Sequence, residues 1–454
     1  MLHSTDQGSR SHARALGLSI GAGAASFSAW VLLSIVGVAI KQEYGLTETV
    51  FGMLIAAPIL VCALVRVMFG VWAEHSDPRR IFTLMLIAGA VAALLLSFAG
   101  SLPVVAIASL GLGVVGGAFA VAVAYLAKWY PAERQTHVLD LLGVCIGGAA
   151  ITQLGAPLLM AAYGWRAVAL VWAGGLFATA ALLWMAAPED PISAAERTGT
   201  RRVVPWLTTL EPLRRVQVWR FALYYFFLFG GFVALALWLP NYVVGAYGLD
   251  IGSAGLIAAL FSLSAAVGRI YGGSLCRDYG ARRIMYWAFG VATVVTFLLS
   301  YPATDYVMQG VGGAVRFHME TGIFAFAVAI AVLGFFTAIG QTAVYEHIPR
   351  YYPDHVGVVG GLVGMIGAFG GFVLPVLFGI AGDLMGVWQS CFMLLFVVVS
   401  IALVWMHVAI RYMEREVAGV ELSKLPELPE MEEIHGPEHR GALRRSTRAN
   451  SGPS

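Results

Sequence analysis

Twelve apolar stretches, each long enough to cross a bilayer, recur along the chain and leave most charged residues to the gaps between them. They run over 15–40, 50–73, 81–99, 104–126, 138–163 and 167–185, then 219–244, 254–275, 284–300, 323–345, 356–381 and 387–410. A spanning helix needs about 20 apolar residues, so the pattern predicts an all-α polytopic membrane protein of two six-helix bundles. Composition agrees: mean hydropathy is +0.79 and only 12% of residues are charged, about half of what a soluble domain carries. A net charge of +2 gives no reason to expect a nucleic-acid partner.

The longest polar segment between apolar stretches, Pro188 to Arg215, divides the chain six plus six. The expected organisation is a polar segment at 1–14, a bundle at 15–187, a linker at 188–217, a second bundle at 218–411 and a disordered tail at 412–454, whose Pro, Glu and Arg content buries too little apolar surface to order itself. The first apolar run is too long for a signal-peptide core and stays as a membrane helix. Lys and Arg concentrate in cytoplasmic loops. With the N-terminus inside, Arg79, Arg80, Lys128, Arg214, Arg215, Arg282 and Arg283 fall on that side, against only Lys41, Arg166 and Arg316 opposite. Both termini are therefore expected in the cytoplasm of a bacterial inner-membrane protein.

An internal repeat carries the functional reading. Arg66, Gly70 and the pair Arg79-Arg80 reappear as Arg269, Gly273 and Arg282-Arg283 at a constant offset of 203 residues. Parallel halves of this kind are a carrier architecture, with the substrate site at their interface near the midplane. Arg66 and Arg269 lie deep inside predicted spans, where a charge costs at least about 2.5 to 3.5 kcal/mol. No Asp or Glu sits comparably deep; Asp140 and Glu346 are near helix ends. Each arginine either pairs with a buried carboxylate or faces a cavity and binds an anion, whose planar oxygens suit the guanidinium fork. The second reading is the one the sequence favours.

Cys62, Cys145, Cys276 and Cys391 are scattered singly, so they read as small core residues, with no metal and no cofactor implied. Neither HExxH nor a phosphate-cradling loop is present, which argues against an enzyme. A channel, or a sensor that does not transport, are the other classes the architecture allows.

In the stretches APILVCALVRVMFGVWAEHSDPRR, GGAFAVAVAYLAKWYPAERQ, FGGFVALALWLP, GRIYGGSLCRDYGARR and IPRYYPDHVGVVGGLVGMIGAFGGFVLP, the chain resembles the nitrate/nitrite porter family of the major facilitator superfamily. The resemblance implies that Arg66 and Arg269 are the substrate arginines, and that Phe119, Tyr225 and Phe229 are the aromatics that sandwich a planar anion. It also places two Gly-rich signatures at Gly143 to Gly148 and Gly364 to Gly371, where Gly143, Gly147, Gly364, Gly367, Gly370 and Gly371 let helices approach and slide. The Asn typical of each signature is replaced, by Ile146 and Ala368. Nitrate, nitrite or a small carboxylate such as formate then remain as substrates, and restoring Asn at both positions is expected to raise nitrate affinity. The loop motif that latches one access state maps onto Glu74 in the first half and Asp278 in the second.

Two cations without a deep carboxylate make an empty closed site costly. Alternating access should therefore be faster loaded than empty, which predicts anion exchange by a monomer in the bilayer. Proton symport would need a titratable group at the site, and His137, His347 and Asp140 all fall towards the cytoplasmic side of their spans.

Overall fold

The computed structural model describes residues 2–130, 138, 141–188, 215–352 and 356–418. In chain order these form α1 (Leu2–Trp30), α2 (Leu33–Tyr44), α3 (Glu48–His75), α4 (Pro78–Ser97), α5 (Leu102–Leu112), α6 (Ala118–Ala127), α7 (Gly148–Ala186), α8 (Val216–Tyr225), α9 (Phe232–Tyr247), α10 (Ile251–Tyr279), α11 (Ala281–Leu299), a hairpin of β1 (Thr304–Gly310) and β2 (Gly313–Met319), α12 (Ile323–Tyr351), α13 (Val356–Met385) and α14 (Ser390–Ala418). Short 3-10 turns at Gly113–Gly117 and Gly143–Gly147, and a π segment at Phe226–Gly231, join some helices end to end.

Eleven helical segments among the described residues are long and apolar enough to span a membrane. One of them, Gly143–Ala186, has 44 residues and at about 1.5 Å per residue is twice as long as the hydrocarbon core is thick. It breaks at Gly164, whose φ of 76° and ψ of 169° leave the helical region. Only a residue without Cβ adopts that backbone without strain, so one long element makes two crossings, and twelve spans result.

The repeat is more extensive than the arginine motif alone. Gly45 (φ 63°) ends α2 and Gly248 (φ 64°) ends α9; two residues later Thr47 caps α3 and Asp250 caps α10. These pairs keep the 203-residue offset. Gly113 then packs on the Pro58 carbonyl as Gly334 packs on that of Phe261, but the offset between these glycines is 221. The second half thus carries 18 extra residues, which the antiparallel hairpin accounts for, with Thr304 paired to Met319 and Gly310 to Gly313. That hairpin, in the segment between the ninth and tenth spans, is the exception to the expected all-α fold.

Three boundaries differ from the sequence reading. Helix α1 starts at Leu2 rather than at 15 and breaks from α2 at Val31 and Leu32. Helix α14 continues to Ala418, so 412–418 are helical rather than disordered; helical hydrogen bonding simply propagates past the last apolar turn. The rest of the expected tail, and 189–214 of the linker, lie outside the described residues, as do His137 and Asp140.

Candidate anion site

A cavity of about 550 Å³, its mouth included, lies between the halves. Both repeat arginines line it, with Phe119 and Ile146 from the first half and Tyr225 and Phe229 from the second. The Arg66 guanidinium carbon sits 5.4 Å from the Phe119 ring centroid and 5.8 Å from that of Phe229, within cation–π range. Its Nη1 donates to the Gly364 carbonyl at 3.4 Å. Arg269 is buried, and its Nη1 donates to Thr342 Oγ1 at 3.3 Å. Its Nε has no hydrogen-bond partner, and neither has the indole Nε1 of Trp30, another lining residue. Neither repeat arginine has a carboxylate partner among the described residues. Buried donors without acceptors are costly, so an anion between the guanidiniums lowers the free energy of this arrangement.

Each glycine signature meets the arginine of the other half. A methyl group at Gly143 would overlap Nε and Nη2 of Arg269, while one at Gly364 would touch Arg66 Cζ at 3.5 Å and Tyr345 Oη at 2.9 Å. Gly143 and Gly364 are related by the 221-residue offset, so the clasp is reciprocal: the fifth span of one half seats the charge of the eighth, and the eleventh that of the second. Gly367 lies against the Tyr225 ring, Gly370 on the Phe226 carbonyl and Gly371 against Val233 and Ile59, and a methyl group at Gly147 would come within 3.1 Å of Ala266 Cβ. Here glycine is required by close approach.

Ala368 does not line the cavity. It is fully buried in the core, and the offset explains why: the repeat partner of Ile146 is Gly367, which faces Tyr225, whereas Ala368 pairs with Gly147. Among the loop-motif residues, Asp278 is exposed and has no ion-pair partner among the described residues; the Glu74 side chain lies outside the described part.

A polar latch instead joins the halves at the opposite rim, away from the basic pairs. Lys41 pairs with Glu48 and donates to Asn241 Oδ1 at 3.0 Å, and Asn241 Nδ2 donates to Glu48 Oε2 at 2.9 Å. Asp383, from the second half, accepts from the backbone N–H groups of Glu48 and Thr49 at 3.0 and 2.9 Å and from Thr49 Oγ1 at 2.6 Å. One half thereby satisfies the orphan donors at a helix N-terminus of the other.

Sequence reasoning missed several groups around the cavity, among them Ser26, Trp30, Cys62, Cys145 and Gln341. Ser26 is the 203-residue counterpart of Phe229, a signal the duplication held, and Gln341 stands out as an amide within an apolar span. Arg220 is, besides Arg269, a second buried arginine among the described residues, near the start of α8 and away from the cavity wall. His347 stacks on Phe221 at 6.0 Å, and it too lies off the cavity wall.

Comparison with known proteins agrees with this architecture. The Major Facilitator Superfamily model matches residues 18–315. A Thermus thermophilus protein described as "Probable nitrate/nitrite antiporter NarK1" is 38% identical over 412 residues, covering 87% of this chain and 91% of that protein. The "Nitrite extrusion protein" of Bacillus subtilis is 26% identical over 389 residues, covering 84% and 91%. Among solved structures, a bacterial homologue of the human lysosomal transporter Spinster shares the fold with a TM-score of 0.67 at 14% identity, covering 87% of this chain and 96% of that one. Duplicated bundles, an arginine from each at their interface, and relatives that share most of the chain's length place the protein in the Major Facilitator Superfamily, as a member of its nitrate/nitrite porter family.

Proposed function

We propose that this carrier exchanges small planar oxyanions, nitrate and nitrite first among them, across a bacterial inner membrane by alternating access. The reading rests on one observation above all, two guanidiniums lining one cavity with no carboxylate between them among the described residues. Arg66 and Arg269 bind the anion, Phe119, Tyr225 and Phe229 enclose its plane, and Ile146 forms an apolar part of the wall. The glycines of both signatures serve as the sliding surface. With both termini in the cytoplasm, the Lys41, Glu48, Asn241 and Asp383 latch closes the outer rim. The bundles at 15–187 and 218–411 rock about the site, joined by the cytoplasmic linker 188–217, with cytoplasmic segments at 1–14 and 412–454, and the working unit in the bilayer is a monomer.

An anion lowers the cost of closing the cavity around two positive charges, so the loaded carrier reorients faster than the empty one. That favours exchange over uniport, in keeping with the description of the Thermus relative as an antiporter. The test is uptake of labelled nitrate into proteoliposomes preloaded with nitrite or with none. Exchange requires preloading to accelerate uptake, and equal rates would defeat it. A parallel screen with formate separates the oxyanion reading from a carboxylate one.

A further inference from the structure

Three consecutive residues of α12 connect parts of the site that come from different helices. Gly340 packs against the Leu228 side chain, where a methyl group would come within 2.7 Å. Gln341 Nε2 donates to the Leu228 carbonyl at 3.0 Å. Thr342 Oγ1 accepts from Arg269. Leu228 belongs to the π segment Phe226–Gly231, a single wide turn of the kind that recurs at functional sites. Tyr225 directly precedes this segment and Phe229 lies within it, their rings stacked at 5.3 Å and 9°. Gln341 is almost fully buried, at 1% exposure, yet lines the cavity.

The orientation of this amide follows from its partner, since a backbone carbonyl only accepts and so fixes which end is nitrogen. One N–H is spent on Leu228 and a second remains. The protein's two repeat arginines present forked donors that match two oxygens well. Nitrite has two oxygens and nitrate three. At Ile146 and at Gly367, its repeat partner, no side-chain donor is present for the third.

We propose that Gln341 is a specificity-determining residue of the site: its free amide N–H binds the third oxygen of a trigonal anion, while its other N–H ties the aromatic π segment to the helix that seats Arg269. The inference rests on the anion-carrier reading above. It moves the missing amide from the glycine signatures to the tenth span, and it makes discrimination between trigonal and bent anions a property of α12.

Binding of nitrate and of nitrite to the purified full-length protein, measured by titration calorimetry for the wild type and for Gln341→Met, tests it. Met keeps volume and removes the donors. The expected result is a loss of about tenfold for nitrate, the order of one hydrogen bond to a charged group, and less than about threefold for nitrite. Equal losses for both anions, as a purely structural role would give, or no loss for nitrate, overturn the proposal. If Gln341→Met does not yield folded protein, Gln341→Asn, which withdraws the amide by one methylene, must show the same nitrate-selective loss. Wild-type protein that binds neither anion would overturn the carrier reading instead, so the two failures are distinguishable.

Discussion

Arg66 and Arg269 occupy equivalent places in a duplicated frame, yet their surroundings have diverged. Arg66 is half-buried, sits near the faces of Phe119 and Phe229, and reaches a backbone carbonyl. Arg269 is 8% exposed, sits close on the glycine of the facing span, donates to a threonine hydroxyl and keeps Nε unsatisfied. The first charge is moderated by ring quadrupoles, whereas the second has little besides a ligand to moderate it. Duplication kept the two charges and the reciprocal glycine contacts, while the neighbours gave one arginine two aromatic rings and left the other with a single hydroxyl acceptor.

Replacing either arginine by Lys should produce the largest effect, since the charge persists but the donor fork is lost. About a hundredfold fall in exchange is expected from two charge-assisted hydrogen bonds, deeper for Arg269→Lys than for Arg66→Lys. Proteoliposome exchange normalised to inserted protein would measure it, and identical residual rates would erase the asymmetry. Next come the glycines. Gly143→Ala overlaps the guanidinium and should slow exchange about tenfold, while Gly364→Ala, which makes one tight hydroxyl contact, should cost about threefold; the reverse order would mean that the clasps are not as described.

Restoring an amide sharpens the comparison of the two signatures. Ile146→Asn should tighten nitrate binding by about threefold to tenfold, because the residue faces the cavity. Ala368→Asn should leave affinity unimproved and lower the melting temperature, since it buries an amide in the core. Calorimetry and thermal unfolding on the same samples decide, and a gain from both would put Ala368 back at the site. Phe119→Leu removes a ring from Arg66 and none from Arg269, so about a two- to fivefold weakening is expected in anion titrations. No change at all would deny the ring a role.

The smallest effect is expected at the hairpin that only the second half carries. Its His318 pairs with Asp305 at 2.7 Å and Glu320 at 3.4 Å, which raises the imidazole pKa, Asp305 contributing most. These pairs are fully formed below the ordinary imidazole range and are lost as pH rises through the raised value. Exposed pairs contribute little, so exchange by His318→Ala should stay within about twofold of wild type on either side of that transition. A larger pH-dependent difference would tie the hairpin to transport.

Much of the fold was legible because membrane helices obey a single-residue rule: about 20 apolar residues in a row must span. The break between 163 and 167 and the position of both arginines could be read directly. Ala368 could not, since its helix is apolar all round and a family motif does not say which side of it faces the cavity. The latch was equally hidden, because Lys41, Glu48, Asn241 and Asp383 each look like ordinary rim residues until the halves meet. Gln341 was visible as an amide in an apolar span, but its partner, a carbonyl in a π turn, was not.

By itself the sequence determined the number of crossings, the duplication and the presence of one arginine deep within a span in each half, since hydrocarbon penalises every polar residue placed in it and the repeat stands in the residues themselves. Tertiary structure decided which groups share the cavity, which glycine seats which arginine and where the halves lock. Those depend on helix rotation and on contacts between spans that lie up to 335 residues apart, and a one-dimensional pattern of hydropathy carries no information about either.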